Sequence, residues 1–122
     1  MSGFETKKPA TRAAVILPWE KSGPQEEIRA ADARLEEAVG LTASIGLVVV
    51  RQAAILLRAR RPATRLGSGQ VEQLAEAVKL DDVDVVVIDA RLSPGQQRNL
   101  EKALACQVVD RPRLVLDPTS VV

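Results

Sequence analysis

The residue order predicts a small α/β domain of three layers, built on a four-stranded, mainly parallel sheet in the order β-α-β-α-β-α-β. Three observations predict it. Short apolar, β-branched runs alternate with segments whose apolar residues recur at helical spacing. The loops between them are short, and strands alternating with helices in this way pair in parallel. The run Val83–Ile88 is β-branched throughout except for Asp84, the mark of a strand covered on both faces.

The first strand is Ala13 to Leu17, closed by Pro18, and a loop follows with Ser22, Gly23 and Pro24. A helix is expected from about Gln25 to Ser44. Ile28, Ala31, Leu35, Ala38, Val39 and Thr42 form its apolar stripe, Glu26 and Glu27 suit the positive end of its dipole, and Gly46 ends it. Leu47 to Leu57 reads as one long strand or a bent one, broken at Arg51–Gln52. A second helix starts near Ser68, turns Val71, Leu74, Ala75 and Val78 inward, and closes at Asp81–Asp82. After the third strand and a turn at Asp89–Leu92, Ser93 is an N-cap with Pro94 in the first helical position. That third helix places Gln97, Leu100, Ala103 and Leu104 inward and runs to about Ala105, with Cys106 read as part of the same pattern. Val108–Val109 is a short fourth strand. The domain therefore spans 13–111, between a loose arm at 1–12 and an irregular tail at 112–122 that carries Pro112 and Pro118.

Composition removes several function classes. The chain of 122 residues suits one core. It has no histidine and no tyrosine, which excludes a histidine base and leaves stacking platforms for single-stranded RNA nearly absent, with Phe4 and Trp19 the two aromatics. A net charge of +1 means that any attraction to nucleic acid must be local. The lone Cys106 cannot close an internal disulfide and fits a reduced cytosol. Ile45–Val50, the longest apolar stretch, stops at Arg51, far short of the roughly 20 residues that cross a bilayer, and no signal peptide is legible after Lys7–Lys8. A soluble, cytoplasmic protein is the expectation.

Open parallel sheets bind ligands beyond the carboxyl ends of their strands, where Pro18–Trp19, the loop 58–69, Asp89–Ser93 and Asp110–Arg111 gather. The loop holds Arg58, Arg60, Arg61 and Arg65, and guanidinium groups grip phosphates in pairs. Gly67-Ser68-Gly69 then opens a helix whose free N–H groups favour an anion. These seven residues read either as a phosphate-gripping rim or as a solvated loop with a tight glycine turn. No Lys-Ser/Thr follows the glycines, so this is not a P-loop. Asp89 could hold a metal in a nucleotide-binding or phosphohydrolase domain, but one carboxylate after the first strand is too few for magnesium, and a strand-end Asp capping its own turn is the simpler reading. Gln96, Gln97, Arg98 and Asn99 form a polar patch that is either a partner contact or an ordinary solvated face. Trp19 reads as cover for the core edge. Glu72, Glu76, Glu101 and Lys102 lie on exposed helical faces and carry no assigned role.

Three blocks carry a resemblance, in order and spacing: Arg34-Leu-Glu-Glu-Ala-Val-Gly40; Arg61-Pro-Ala-Thr-Arg-Leu-Gly-Ser-Gly69 with Val71-Glu-Gln-Leu74; and Leu92-Ser-Pro-Gly-Gln-Gln-Arg-Asn-Leu-Glu-Lys102 with Val109-Asp-Arg111. Over residues 13–111 the chain resembles the N-terminal domain of the HflX family of ribosome-associated GTPases. The resemblance implies an α/β domain that precedes a helical linker and a P-loop GTPase domain, and that approaches RNA of the large ribosomal subunit. It implies a non-catalytic recognition module without catalytic residues, metal or cofactor of its own, since GTP and magnesium belong to the later domain. DNA and membrane are not implied as partners, and a weak homo-oligomer is left open. Two positions depart from the family pattern: Gln70 stands where lysine is usual, and Pro112-Arg113 replaces Thr-Gly. The sequence to Val122 contains no Gly-x-x-x-x-Gly-Lys-Ser/Thr motif, which suggests an excised domain or a stand-alone relative.

Overall fold

A computed structural model describes residues 11–20, 25–57 and 68–111. Its elements are β1 (Arg12–Glu20), α1 (Gln25–Ser44), β2 (Val48–Leu57), α2 (Ser68–Leu80), β3 (Val85–Ile88), α3 (Pro94–Leu104) and β4 (Gln107–Asp110). The four strands form one sheet in the order β2-β1-β3-β4, and every pairing is parallel. The arm up to residue 10 and the tail 112–122 lie outside the described residues.

Alternation along the strands sorts the core into two halves. Ala14, Ile16, Val86, Ile88 and Val108 face α2 and α3, meeting Val71, Leu74, Val78, Leu100 and Leu104. Ala13, Val15, Leu17, Val85, Val87 and Val109 face α1, meeting Ala31, Leu35 and Ala38. Because β1 and β3 are covered on both sides, their apolar runs are uninterrupted and every residue of β3 is buried. α1 carries the chain from β1 outward to β2 on one face, and α2 and α3 carry it the other way on the opposite face. Each crossover thus turns with the same hand, as parallel units require.

The helix ends follow local chemistry. Ser93 accepts from Gln96 N at 3.1 Å while the Gln96 side chain accepts from Ser93 N at 3.0 Å, a reciprocal capping box with Pro94 behind it. Ala105 ends α3 with φ 56°, Asp82 lies beyond α2 at φ 55°, and Gly46 takes φ 92° after α1. Thr42, fully buried on the inner face of α1, donates to Ala38 O at 2.8 Å and so satisfies its hydroxyl within the helix.

Several boundaries differ from the sequence reading. β1 does not stop at Pro18 but continues to Glu20. Pairing of β1 with β3 ends at Ile16↔Ile88, so beyond that point β1 has β2 alone as neighbour and a missing N–H is tolerated. β2 is one strand whose break is a register shift opposite Ala13/Ala14. β3 begins at Val85, two residues later than expected. Ala103 is exposed, not inward, and Cys106 lies in the bend between α3 and β4, outside the helix.

Glu101 is the larger correction. It sits one turn beyond Gln97 on the inner stripe of α3. Gln97 Nε2 donates to Val108 O at 2.8 Å, and Val108 N donates to Glu101 Oε2 at 3.1 Å. Two side chains thereby close the backbone groups of Val108 on the outer edge of β4. We expect Leu100→Ala to cost about 3 kcal/mol in urea unfolding, Glu101→Ala about 1–2 kcal/mol by stranding the Val108 N–H, and Lys102→Ala less than ~0.5 kcal/mol. A Glu101→Ala cost as small as that of Lys102→Ala would remove the edge-closing role.

Candidate nucleic-acid interface at the carboxyl end of the sheet

The strand order 2-1-3-4 sends the chain one way from β1 and the other way from β3, so a crevice opens beyond their carboxyl ends. Asp89, one residue past β3, lies at its floor and is 4% exposed. Its N–H donates to Ile16 O at 2.8 Å, which fixes it against β1. Arg111, one residue past β4, donates through one guanidinium nitrogen to Asp89 Oδ1 at 3.2 Å and through the other to Glu37 on α1. Three elements are tied by one guanidinium between two carboxylates. Partial burial alone would lower the Arg111 pKa; hydrogen bonds and charge from Glu37 and Asp89 outweigh it and hold the pKa above its ordinary value.

This arrangement decides between readings of Asp89. A cation bound at Asp89 would have to displace the guanidinium, and no group of three metal-ligating side chains occurs among the described residues. Nor does Asp89 cap its own turn. The carboxylate that accepts from Leu92 N, at 3.1 Å, is Asp110 from the neighbouring strand, itself 4% exposed. Arg111 is likewise committed, its guanidinium shared between two carboxylates. Sequence placed Asp89, Asp110 and Arg111 on one edge but could not pair them, and Glu37, a surface position by pattern, gave no signal.

Arg58, Arg60, Arg61, Arg65 and Gly67 lie outside the described residues. The loop's two anchors are placed, at Leu57 ending β2 and Ser68 opening α2. Gly69 is exposed in the first turn of α2, with open space where a Cβ would stand. The polar patch at the start of α3 divides. Gln96 belongs to the capping box and Gln97 donates to Val108 O on β4, and both are half-buried. Arg98 and Asn99 are exposed. Arg91, which sequence reading passed over, is exposed in the turn between β3 and α3. Its position two residues before the Ser93 N-cap was the available signal. α2 and α3 pack on the same face with both amino termini at this end of the sheet, so their positive dipole ends lie on the same side as Arg91. Trp19 is half-buried against the α1 side of the core and covers its edge, as expected.

Cys106 is half-buried, and burial first, then the charges of Glu101 and Asp84, push its thiol up to about 11. It is a protonated, inert thiol at neutral pH.

A parallel sheet of four strands whose switch-point crevice is filled by its own ion pairs, with loops and helix termini left to present charge, defines a small α/β scaffold without a catalytic constellation among its described residues. The family model described as GTP-binding GTPase N-terminal matches residues 32–117. The chain is 41% identical to GTPase HflX of Magnetococcus marinus over 114 residues, covering 93% of this chain and 26% of that protein. It is 39% identical to GTPase HflX of Escherichia coli K12 over 83 residues, covering 68% and 20% respectively. The crystal structure of SsGBP mutation variant G235S shares the fold, with a TM-score of 0.58 at 18% identity over 87% of this chain and 30% of that one. The chain belongs to the GTP-binding GTPase N-terminal family, as an N-terminal domain of the HflX type. It spans about a quarter or less of the curated relatives named above.

Two outcomes are expected. Arg111→Ala should destabilise the domain by about 2 kcal/mol in denaturant unfolding, because Asp89 is left buried without a counter-charge; adding Asp89→Asn should recover much of that loss. Loss of equal size in both variants would deny the pairing its role. At pH 8 the raised thiol pKa leaves Cys106 with about 100-fold less thiolate than in the unfolded chain, so iodoacetamide should label it correspondingly slowly until denaturant is added.

Proposed function

We propose that the domain is a non-catalytic recognition module of an HflX-like GTP-binding protein in the cytoplasm, contacting the large ribosomal subunit or its RNA through arginine–phosphate pairs. The loop 58–67 supplies Arg58, Arg60, Arg61 and Arg65, and the opening turn of α2 supplies Ser68 and Gly69 beside Gly67. Arg91 adds a cation on the same end, and Arg98 one on the adjoining face of α3.

The observation that carries this reading is the division of charge at the carboxyl end. Arg111 is spent on Asp89 and Glu37 inside the crevice, whereas Arg91 is exposed two residues before the N-cap of α3. Anion affinity is therefore favoured on the α2–α3 side and disfavoured at the switch point, and the four arginines of 58–65 shortly precede α2 in the sequence. The relatives are named GTPases. Hydrolysis of GTP in such a protein falls to the region that this chain does not cover, so GTP and magnesium are not assigned to it.

The test is co-sedimentation with large ribosomal subunits across a salt series. Binding should fall steeply with salt through counterion release, and Arg60→Ala with Arg61→Ala should reduce the log–log slope by about 1.4 if both meet phosphates. Arg91→Ala should lower it by about 0.7. Failure to bind at low salt, or an unchanged slope, would overturn the proposal.

A further inference from the structure

The face that α2 and α3 turn away from the sheet is complementary to itself. The two helices pack side by side and both run from the carboxyl end of the sheet. They are also in phase. Leu74 and Val78 stand six and ten residues after the first residue of α2, Leu100 and Leu104 six and ten after that of α3, and all four are buried. The outer positions therefore correspond. Four and eight residues in, α2 carries Glu72 and Glu76 where α3 carries Arg98 and Lys102, and all four are exposed. None of them is engaged in an ion pair among the described residues. Glu101, the one acid of α3, is bonded to Val108 N and leaves the outer face of its helix without a negative charge. At the far end of this face Leu80 closes α2 at 81% exposure, well above Ile45 at 36% and Val48 at 43%.

We propose that this face joins two copies of the chain about a two-fold axis that runs between α2 and α3 and parallel to them. Rotation about that axis lays α2 of each copy along α3 of the other, in the same direction and at the same height. Glu72 then comes level with Arg98 of the second copy and Glu76 with Lys102, and the symmetry repeats both pairs. Taken singly these would be ordinary solvated charges. What selects a second copy is that the acidic helix and the basic helix are neighbours on one surface, so the same surface, rotated, supplies every counter-charge. The remaining positions agree. Gln73 comes level with Asn99 and Lys79 with Ala105, so no like charges are opposed. Gly69 and Gly95, exposed in the two first turns, place no side chain between the helices there. Leu80 comes over the end of α3, where Ala103 and Ala105 are exposed and uncharged.

This pairing does not rest on the RNA reading. The two share Arg98 and part at Arg91, which precedes α3 and has no counterpart in the pairing.

Sedimentation velocity of the whole chain over about a hundredfold range of concentration should show a monomer–dimer equilibrium that weakens as salt is raised. Glu72→Lys with Glu76→Lys should weaken it at least about tenfold, as should Arg98→Glu with Lys102→Glu, because each sets like charges face to face. Mixed in equal amounts, the two reversed chains should form a heterodimer at least as tight as the original dimer, since every facing pair is again of opposite charge. Leu80→Ser should weaken association about tenfold by removing apolar contact, whereas Arg91→Ala and Val48→Ser should leave it unchanged. Where a reversed chain fails to fold, the salt series on the unaltered chain and Leu80→Ser decide. A chain that stays monomeric at every concentration, the result expected if another protein covers this face, would overturn the proposal. So would a dimer indifferent to salt, or folded reversed chains that do not associate with each other.

Discussion

A strand buried on both faces cannot carry charge, and that constraint organises this molecule. β1 and β3 occupy the middle of the sheet, and from Ala13 to Leu17 and from Val85 to Ile88 they hold apolar side chains of almost no exposure. Burying an unpaired carboxylate or guanidinium there would cost several kcal/mol. Polar chemistry is therefore displaced to the strand ends, and the residues that follow the apolar runs are charged: Asp89 after β3, and Asp110 with Arg111 at the end of β4. Once gathered there, these groups must satisfy each other, and they do so through the Asp89–Arg111–Glu37 tie and the Asp110 bond to Leu92 N.

The consequence for function runs against the usual expectation for an open α/β sheet. The crevice at the switch point is the common ligand seat of such folds, but here Arg111 spans it between Asp89 and Glu37, and Asp110 holds Leu92 N. The exposed cation Arg91 lies instead in the turn that leads into the capped amino terminus of α3. This fits a domain of the HflX type whose relatives are GTPases but which itself covers only a fraction of their length.

The edges of the sheet obey the same accounting of hydrogen bonds. Each strand edge needs partners for its outward backbone groups. β4 finds them in side chains of α3, Gln97 and Glu101, which hold Val108 from the outer side. The protonated state of that thiol is a by-product, caused by burial and by the carboxylates of Glu101 and Asp84. β2 is the longer edge, and its outer side faces away from the rest of the sheet.

By itself the sequence determined the fold class, the count and order of elements, and the capped start of α3, because these rest on local periodicity and on Ser93-Pro94, whose signals lie within a few residues. The family was legible for the same reason, in blocks such as Leu92–Lys102. The tertiary structure alone decided which charged groups meet. Glu37 and Arg111 are 74 residues apart, and their contact depends on which face α1 crosses and where β4 ends. Gln97 and Glu101 show the boundary between the two kinds of information. Sequence put Gln97 on the inner stripe with Leu100 and Leu104 but Glu101 on an exposed face, and that a strand edge lies opposite both follows only from sheet order. Long-range pairing is set by packing geometry, which no short window of sequence contains.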